Sequence, residues 1–202
     1  VKKVTDKISG EIFKNYKVDK LIRSDDNIRV IIGNEYVDYD QVVLASHADQ
    51  SLRMIEKPTE QEKNILEKFN YVKNEAYLHT DKRLMPHKKR AWSSWNSVSD
   101  GEKTCITYWL NKLQNLDTSK DYFLTLNPIC KINENSVIKK VDFTHPYLNS
   151  KNTALQKDLR LIQGKKRTWF CGSYFGYGFH EDGLKSSIDL INNFKIWWIP
   201  AF

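Results

Sequence analysis

The sequence predicts an α+β protein in which an antiparallel sheet, formed by the middle of the chain, is inserted between two end segments that belong together. Three observations predict it. Five strand-like runs follow one another from residue 72 to residue 143, helical patterns flank them on both sides, and both ends of the chain carry further β segments. The implied boundaries are residues 1–47, 48–164 and 165–202.

Each element has a local signature. Val1, Val4, Ile8 and Ile12 suit one face of an opening helix. YKVDKLIR, NIRVIIG and EYVDYDQVVLAS read as three β segments, with turns at Asp25-Asp26-Asn27 and Gly33-Asn34. The run QVVLAS looks like a strand buried on both faces. HADQSLRMIEK is helical, and a second helix from Pro58 to Phe69 takes Thr59 as its N-cap.

The middle runs are VKNEAYLHTD, KRAWSSWNSV, TCITYWLN, DYFLTL and VIKKVDF, with turn chemistry at Met85-Pro86, Asp100-Gly101 and Asn127-Pro128. ALQKDLRLIQ reads as a helix and RTWFCG as a short strand. HEDGLKSSIDLINNF reads as a closing helix with Leu184, Ile188 and Ile191 on its apolar face.

Composition narrows the function classes. The 202 residues are 40% hydrophobic and 28% charged, as a folded globular chain requires. No apolar run is long enough to cross a bilayer as a helix. A formal charge of +7 admits an anionic partner without naming it. Cys105, Cys130 and Cys171 lack zinc or CxxC spacing and read as buried apolar thiols of a reducing, cytoplasmic protein, and no metal site is expected. The basic residues are dispersed and carry no nucleic-acid motif, so no nucleic-acid partner is expected.

The stretch TWFCGSYFGYGFHEDGLKSS concentrates the candidate chemistry. Gly172 ends a strand, Gly176 and Gly178 permit unusual backbone shapes, and Glu181 and Asp182 sit at a helix start where the macrodipole favours them. Gly183 lets a ligand approach the first-turn amides, which suit negative charge developing on a planar ring. A glycine-rich loop that merely joins two core elements is the alternative.

Together with QVVLASHADQSL, LHTDKRLMPHKKRAWSSWN, TYWLNKLQNLD and YFLTLNP, this stretch resembles the C-terminal half of FAD-dependent, amine-oxidase-like flavoproteins, a family of NAD/FAD-binding proteins. The resemblance implies an FAD-binding domain interrupted by a substrate domain, and hydride transfer from a small or fatty-acyl, lipid-like substrate to FAD. The dinucleotide fingerprint GxGxxG occurs nowhere in the chain. With no initiator Met, that implies a C-terminal fragment, inactive alone and exposing a former interface through which it self-associates.

Residue by residue, the resemblance implies that Val18 contacts adenine through its backbone. It places Gly172 at the end of the last cofactor-domain strand, and the amides of Asp182, Gly183 and Leu184 at the pyrimidine edge of the ring. Ser173 stands where many relatives carry an acid, so a hydroxyl replaces that contact. Trp95, Asn96, Tyr108, Tyr177 and His180 are substrate-pocket candidates, and no catalytic residue is assigned. Trp92 and Trp95 alternate along a strand and are not expected to share one cavity. Lys82, Arg83, Lys88, Lys89 and Arg90 form either a solvated hairpin tip or a basic lip for an anionic substrate at a lipid surface. The alternative function is a non-catalytic lipid- or ligand-binding module built on the antiparallel sheet.

Overall fold

A computed structural model describes residues 2–147 and 149–194. The chain divides into two compact units: Val1–Asn70 with Tyr147–Phe202, and Tyr71–Pro146. Residues 48–70 and 147–164, assigned from sequence to the inserted domain, therefore lie in the first unit.

The first unit opens with a single turn, α1 (Lys2–Thr5). The longer helix expected from the apolar spacing does not form, and Val4, Ile8 and Ile12 are exposed. A short helix with no buried face has nothing to offset its nucleation cost. Strands β1 (Lys20–Arg23), β2 (Ile28–Ile32) and β3 (Glu35–Tyr39) form an antiparallel meander, with Leu21 opposite Val30 and Val30 opposite Val37.

The segment read as one strand breaks after Tyr39, because β4 (Val42–Leu44) joins a different sheet. Val43 on β4 is 45% exposed, so this strand is not buried on both faces. Helices α2 (Ala48–Met54) and α3 (Glu60–Leu66) follow. The α3 start is a capping box: Thr59 Oγ1 accepts from Glu62 N at 3.2 Å and Glu62 Oε2 accepts from Thr59 N at 2.7 Å. Such a cap contributes about 1 kcal/mol. Glu62 also accepts both prongs of Arg23 at the end of β1, and that guanidinium reaches Thr168 Oγ1 at 3.3 Å.

The second unit is one antiparallel sheet of β5 (Tyr71–His79), β6 (Trp95–Ser99), β7 (Thr104–Trp109), β8 (Phe123–Leu126) and β9 (Val137–Pro146), in the order β6-β7-β8-β5-β9. A single turn, α4 (Leu110–Leu113), follows β7. Period-2 alternation divides the side chains between two faces. Cys105, Thr107, Trp109, Phe123 and Thr125 share one face, on which Leu84, Met85, Trp92 and Ile132 from the connecting loops pack. The opposite face carries Trp95, Tyr108, Ile106, Leu124, Leu126, Val141 and Phe143, of which Trp95 and Phe143 are exposed.

The chain then returns to the first unit through α5 (Ser150–Leu155), which tightens into 3-10 turns over Gln156–Leu161 rather than continuing as one helix. Strand β10 (Thr168–Phe170) pairs parallel with β4, and α6 (His180–Phe194) follows. The core of this unit includes Leu21, Ile28, Leu66, Phe69, Leu159, Ile162, Phe170 and Tyr174.

Helix α6 packs through Leu190 and Phe194 against Trp169 and Cys171. Its other apolar stripe, Leu184, Ile188 and Ile191, faces solvent, the reverse of what amphipathic spacing suggested. Cys105 and Cys171 are buried as expected, whereas Cys130 is exposed.

Candidate functional site

The glycine-aromatic stretch folds as strand, tight loop and helix. Gly172 has φ +150°, and a Cβ there would meet the Tyr174 ring at 2.9 Å, so glycine is required. Its N–H donates to Ser186 Oγ at 2.9 Å, and that hydroxyl donates to Gly183 O, tying the strand end to the first turns of α6.

The Asp182 carboxylate locks the loop. Its Oδ2 accepts from the N–H groups of Tyr177 and Phe179, each at 3.0 Å. A Cβ at Gly176 would lie 2.3 Å from Oδ1, so the loop closes around that carboxylate only because Gly176 lacks one. Gln156 holds the other side, its Nε2 donating to the carbonyls of Tyr174 and Gly176.

These contacts correct the sequence reading of the helix start. Asp182 N and Gly183 N both donate to Phe179 O, at 3.1 and 3.3 Å, and Leu184 N lies a full turn inside the helix, where its acceptor is the chain itself. The first-turn amides without an acceptor among the described residues are those of His180 and Glu181. The amides without an acceptor thus lie toward the N-terminus from those carried over by resemblance. The Ser173 hydroxyl also has no partner among the described residues, and Tyr177, Phe179 and His180 are exposed beside it. The Glu181 carboxylate at the same helix end makes the place better suited to a carbonyl dipole than to a phosphate.

Val18 lies half-buried on the wall of an apolar cleft of about 720 Å³ in the first unit. Leu21, Val30, Ile32 and residues 42–46 line the cleft, and the rings of Phe13 and Tyr16 meet there at 5.4 Å. The backbone N–H and C=O of Val18 have no partner among the described residues.

In the second unit Trp95 and Tyr108 sit edge to face at 5.2 Å on the open side of the sheet. Asn96 does not join them. Its side chain is buried on the other face, donating to Ser93 O at 2.7 Å and Thr107 O at 3.3 Å and accepting from Ser93 N. Asn96 is therefore a turn-holding residue and is withdrawn from the pocket. Trp92 faces away from Trp95, as expected. It is buried against Phe123 and Trp109, with Nε1 donating to Pro86 O at 2.7 Å.

Three of the five cations of the basic loop are held by two carboxylates. Lys82 and Lys89 meet the buried Asp121 carboxylate at 2.9 and 3.4 Å, and Arg83 grips Asp81 at 2.6 Å. Arg83 holds the Asp81 pKa well below the carboxylate range against the opposing effect of burial. Burial works to raise the pKa of Asp121, but the two lysines outweigh it and the net shift is downward. All five cations are exposed, as a solvated hairpin tip requires, and Lys88 and Arg90 have no acidic partner among the described residues.

Sequence reading missed the buried polar row behind this loop. His79 Nδ1 accepts from Asp81 N at 3.1 Å, which requires the proton on Nε2. Nε2 then donates to Thr125 Oγ1 at 2.7 Å, and Thr125 meets Thr107 Oγ1 at 2.8 Å. Burial pushes the His79 pKa down and keeps the ring neutral. Nothing local in the sequence marks this row, because its members come from three strands. Among the described residues no cluster of His, Cys, Asp and Glu could hold a metal ion.

No protein-family model and no curated protein matches the chain. Solved structures do. A CLA-producing fatty acid isomerase from P. acnes matches with TM-score 0.66 and 13% identity, over 96% of this chain and 50% of that one. A redesigned putrescine oxidase matches with TM-score 0.60 and 8% identity, over 93% and 51%. Cyclohexylamine oxidase from Brevibacterium oxydans matches with TM-score 0.54 and 10% identity, over 89% and 49%.

The fold resembles the C-terminal part of FAD-dependent oxidoreductases. At these identities the likeness is one of fold, and the chain spans about half the length of the solved structures it matches. No helix among the described residues is long and apolar enough to cross a membrane.

Proposed function

We propose that the chain is the C-terminal half of a flavin-dependent, amine-oxidase-like oxidoreductase acting on a small or lipid-like substrate. The observation that carries this reading is the Gly172-to-α6 unit, which presents two unclaimed amides and a free hydroxyl within a fold shared over nearly the whole chain with FAD-dependent oxidoreductases. FAD would supply the hydride acceptor. This chain's own residues fit part of such a cofactor. The Val18 backbone offers an edge contact for the adenine, the Ser173 hydroxyl a contact for the ribityl or phosphate oxygens, and the His180 and Glu181 amides a dipole for the ring.

Each unit carries its own substrate-side candidates, Trp95 and Tyr108 in the second unit and Tyr177 and His180 in the first. The open face of the five-stranded sheet favours an apolar chain with an anionic head over an amine. Along its paired rows it carries Lys139 and His145 but no carboxylate, the group that would bind an ammonium. One neighbour, matched with TM-score 0.66, is by its name a fatty acid isomerase.

The same face supports a second reading, a non-catalytic lipid- or ligand-binding module, because Trp95 and Phe143 are exposed on it without any cofactor being needed. The visible absorption spectrum separates the two. The product of the complete reading frame is expected to show flavin bands, or to acquire them on addition of FAD, while the 202-residue chain shows none. A colourless complete product that takes up no FAD rejects the flavin reading and leaves the binding module.

A further inference from the structure

The net charge of the second unit stands at one end of it. Residues 71–146 hold twelve Lys and Arg against eight Asp and Glu. In the sheet His79 pairs with Phe123 and with Val137, Trp109 with Phe123, and Tyr108 with Trp95. The ends of β5 and β7 and the starts of β6, β8 and β9 therefore lie together, and with them the segments 80–94, 110–122 and 131–136. Those three segments carry eight of the twelve cations and four of the eight acids, so the rest of the unit is neutral. The opposite end carries Tyr71 and Pro146, where the chain enters and leaves the unit.

Four of the eight cations are unclaimed. Lys82, Lys89, Arg83 and Lys131 are held by Asp121, Asp81 and Glu134. Lys88, Arg90, Lys112 and Lys120 are exposed and have no acidic partner among the described residues. Between Lys112 and Lys120 stand Leu113 and Leu116, which are 44% and 37% exposed. Their loop is closed by its own hydrogen bonds. Gln114 N donates to Leu110 O and Leu116 N to Asn111 O. The Asn111 amide donates to Lys120 O and accepts from Tyr122 N, each at 2.7 Å. A loop so tied keeps two apolar side chains in water with cations beside them.

We propose that this end of the five-stranded sheet docks on the surface of an anionic lipid bilayer. The four unclaimed cations sit among the anionic headgroups, and Leu113 and Leu116 enter the acyl boundary below them. Lysine and arginine suit that depth, because their stems lie along apolar surface while the charge stays in water. The pattern separates a bilayer from other partners. A single-stranded nucleic acid needs open rings on which bases stack, but the indoles of this end, Trp92 and Trp109, are packed edge to face on each other and against Phe123. The core of a protein interface is depleted of lysine, whereas here lysines bracket the leucines. The inference does not depend on the flavin reading.

The test is sedimentation of the product of the complete reading frame with phosphatidylcholine vesicles, with and without about 30% phosphatidylserine. Binding is expected only with phosphatidylserine, and it should weaken as salt is raised. A cation near an anionic surface contributes about fivefold in affinity, so Lys112→Gln with Lys120→Gln should weaken binding about 25-fold. Leu113→Ser with Leu116→Ser should weaken it about tenfold without changing its salt dependence. All four side chains are exposed, so both variants should keep the parent Tm. Lys73→Gln with Lys103→Gln, at the opposite end of the sheet, should leave binding unchanged.

A product that ignores phosphatidylserine vesicles, or binds equally without that lipid, overturns the proposal. So does binding that the Lys112 and Lys120 changes leave intact. Binding that depends on the lysines but not on the leucines also overturns it, and assigns this end to a soluble polyanion. A product with flavin bands that ignores the vesicles sinks this inference and spares the proposed function; a product that takes up no flavin but binds in the expected way does the reverse.

Discussion

The Arg23 guanidinium and the Glu62 carboxylate form a two-pronged ion pair, NH1 to Oε1 at 2.6 Å and NH2 to Oε2 at 2.8 Å, with both side chains almost wholly enclosed. The pair joins the end of β1 to the start of α3, and the same carboxylate completes the Thr59 cap. Removing one partner strands a buried charge. Arg23→Met or Glu62→Leu should each cost about 3 kcal/mol or more, whereas the double replacement should recover a large part of that loss. Chemical denaturation of the two single variants and the double variant checks this.

The same pair sets an acid limit. Burial works to raise the Glu62 pKa, but the Arg23 and Thr59 hydrogen bonds outweigh it, and the pKa ends below its ordinary value. A carboxyl with a depressed folded pKa contributes stability that is present above about pH 4.3 and lost as pH falls through the folded value. Thermal melts should therefore decline steeply below that pH. Glu62→Gln should flatten the decline, although it melts lower at neutral pH.

His79 gives a second pH response in a different window. Its pKa is lowered by burial, so folding favours the neutral ring. Stability from this source is complete above about pH 6.5 and falls as pH drops through the folded pKa. NMR should show the His79 ring titrating below that value, with Nε2 protonated at neutral pH. A ring titrating above it would contradict the buried row with Thr125 and Thr107.

The loop before α6 depends on one carboxylate and one missing side chain. Asp182→Ala removes the acceptor for Tyr177 N and Phe179 N and should cost about 1–2 kcal/mol; Asp182→Asn, which keeps an oxygen there, should cost less. Gly176→Ala should cost about 1–3 kcal/mol, because the new methyl enters the space of the Asp182 carboxylate. Gly10→Ala, with nothing within 4 Å, should be close to neutral. Denaturant titration ranks all four.

What was legible in the sequence was local. The Thr59 cap, the start of α6 and four of the five alternating strands are each written within about ten residues and form where their patterns stand, whereas KRAWSSWNSV makes a 3-10 turn over Lys89–Ala91 and a strand only from Trp95. What was not legible depends on partners far along the chain. Nothing near Tyr39 says that β3 pairs backward with β2 while β4 waits for β10. The spacing of Leu184, Ile188 and Ile191 defines a stripe but not which side of α6 meets Trp169. Asn96 reads equally as a pocket residue or a turn residue until the Ser93 turn claims its amide, and nothing near the basic loop says that Asp121, far along the chain, holds two of its lysines.

Lys166 and Arg167 sit in consecutive left-handed conformations, at φ 47° and 60°. Such backbone costs free energy for non-glycine residues, and here the Arg167 side chain offsets it by donating to the carbonyls of Asp25 and Asp40. That clasp closes the first unit by joining segments more than a hundred residues apart, with the whole second unit synthesised between them. During vectorial synthesis the five-stranded sheet has every strand it needs while its host is still waiting for β10. The inserted unit can therefore mature on the ribosome ahead of the unit that surrounds it in sequence, and a stall before Arg167 would release a chain with its sheet made and its clasp open.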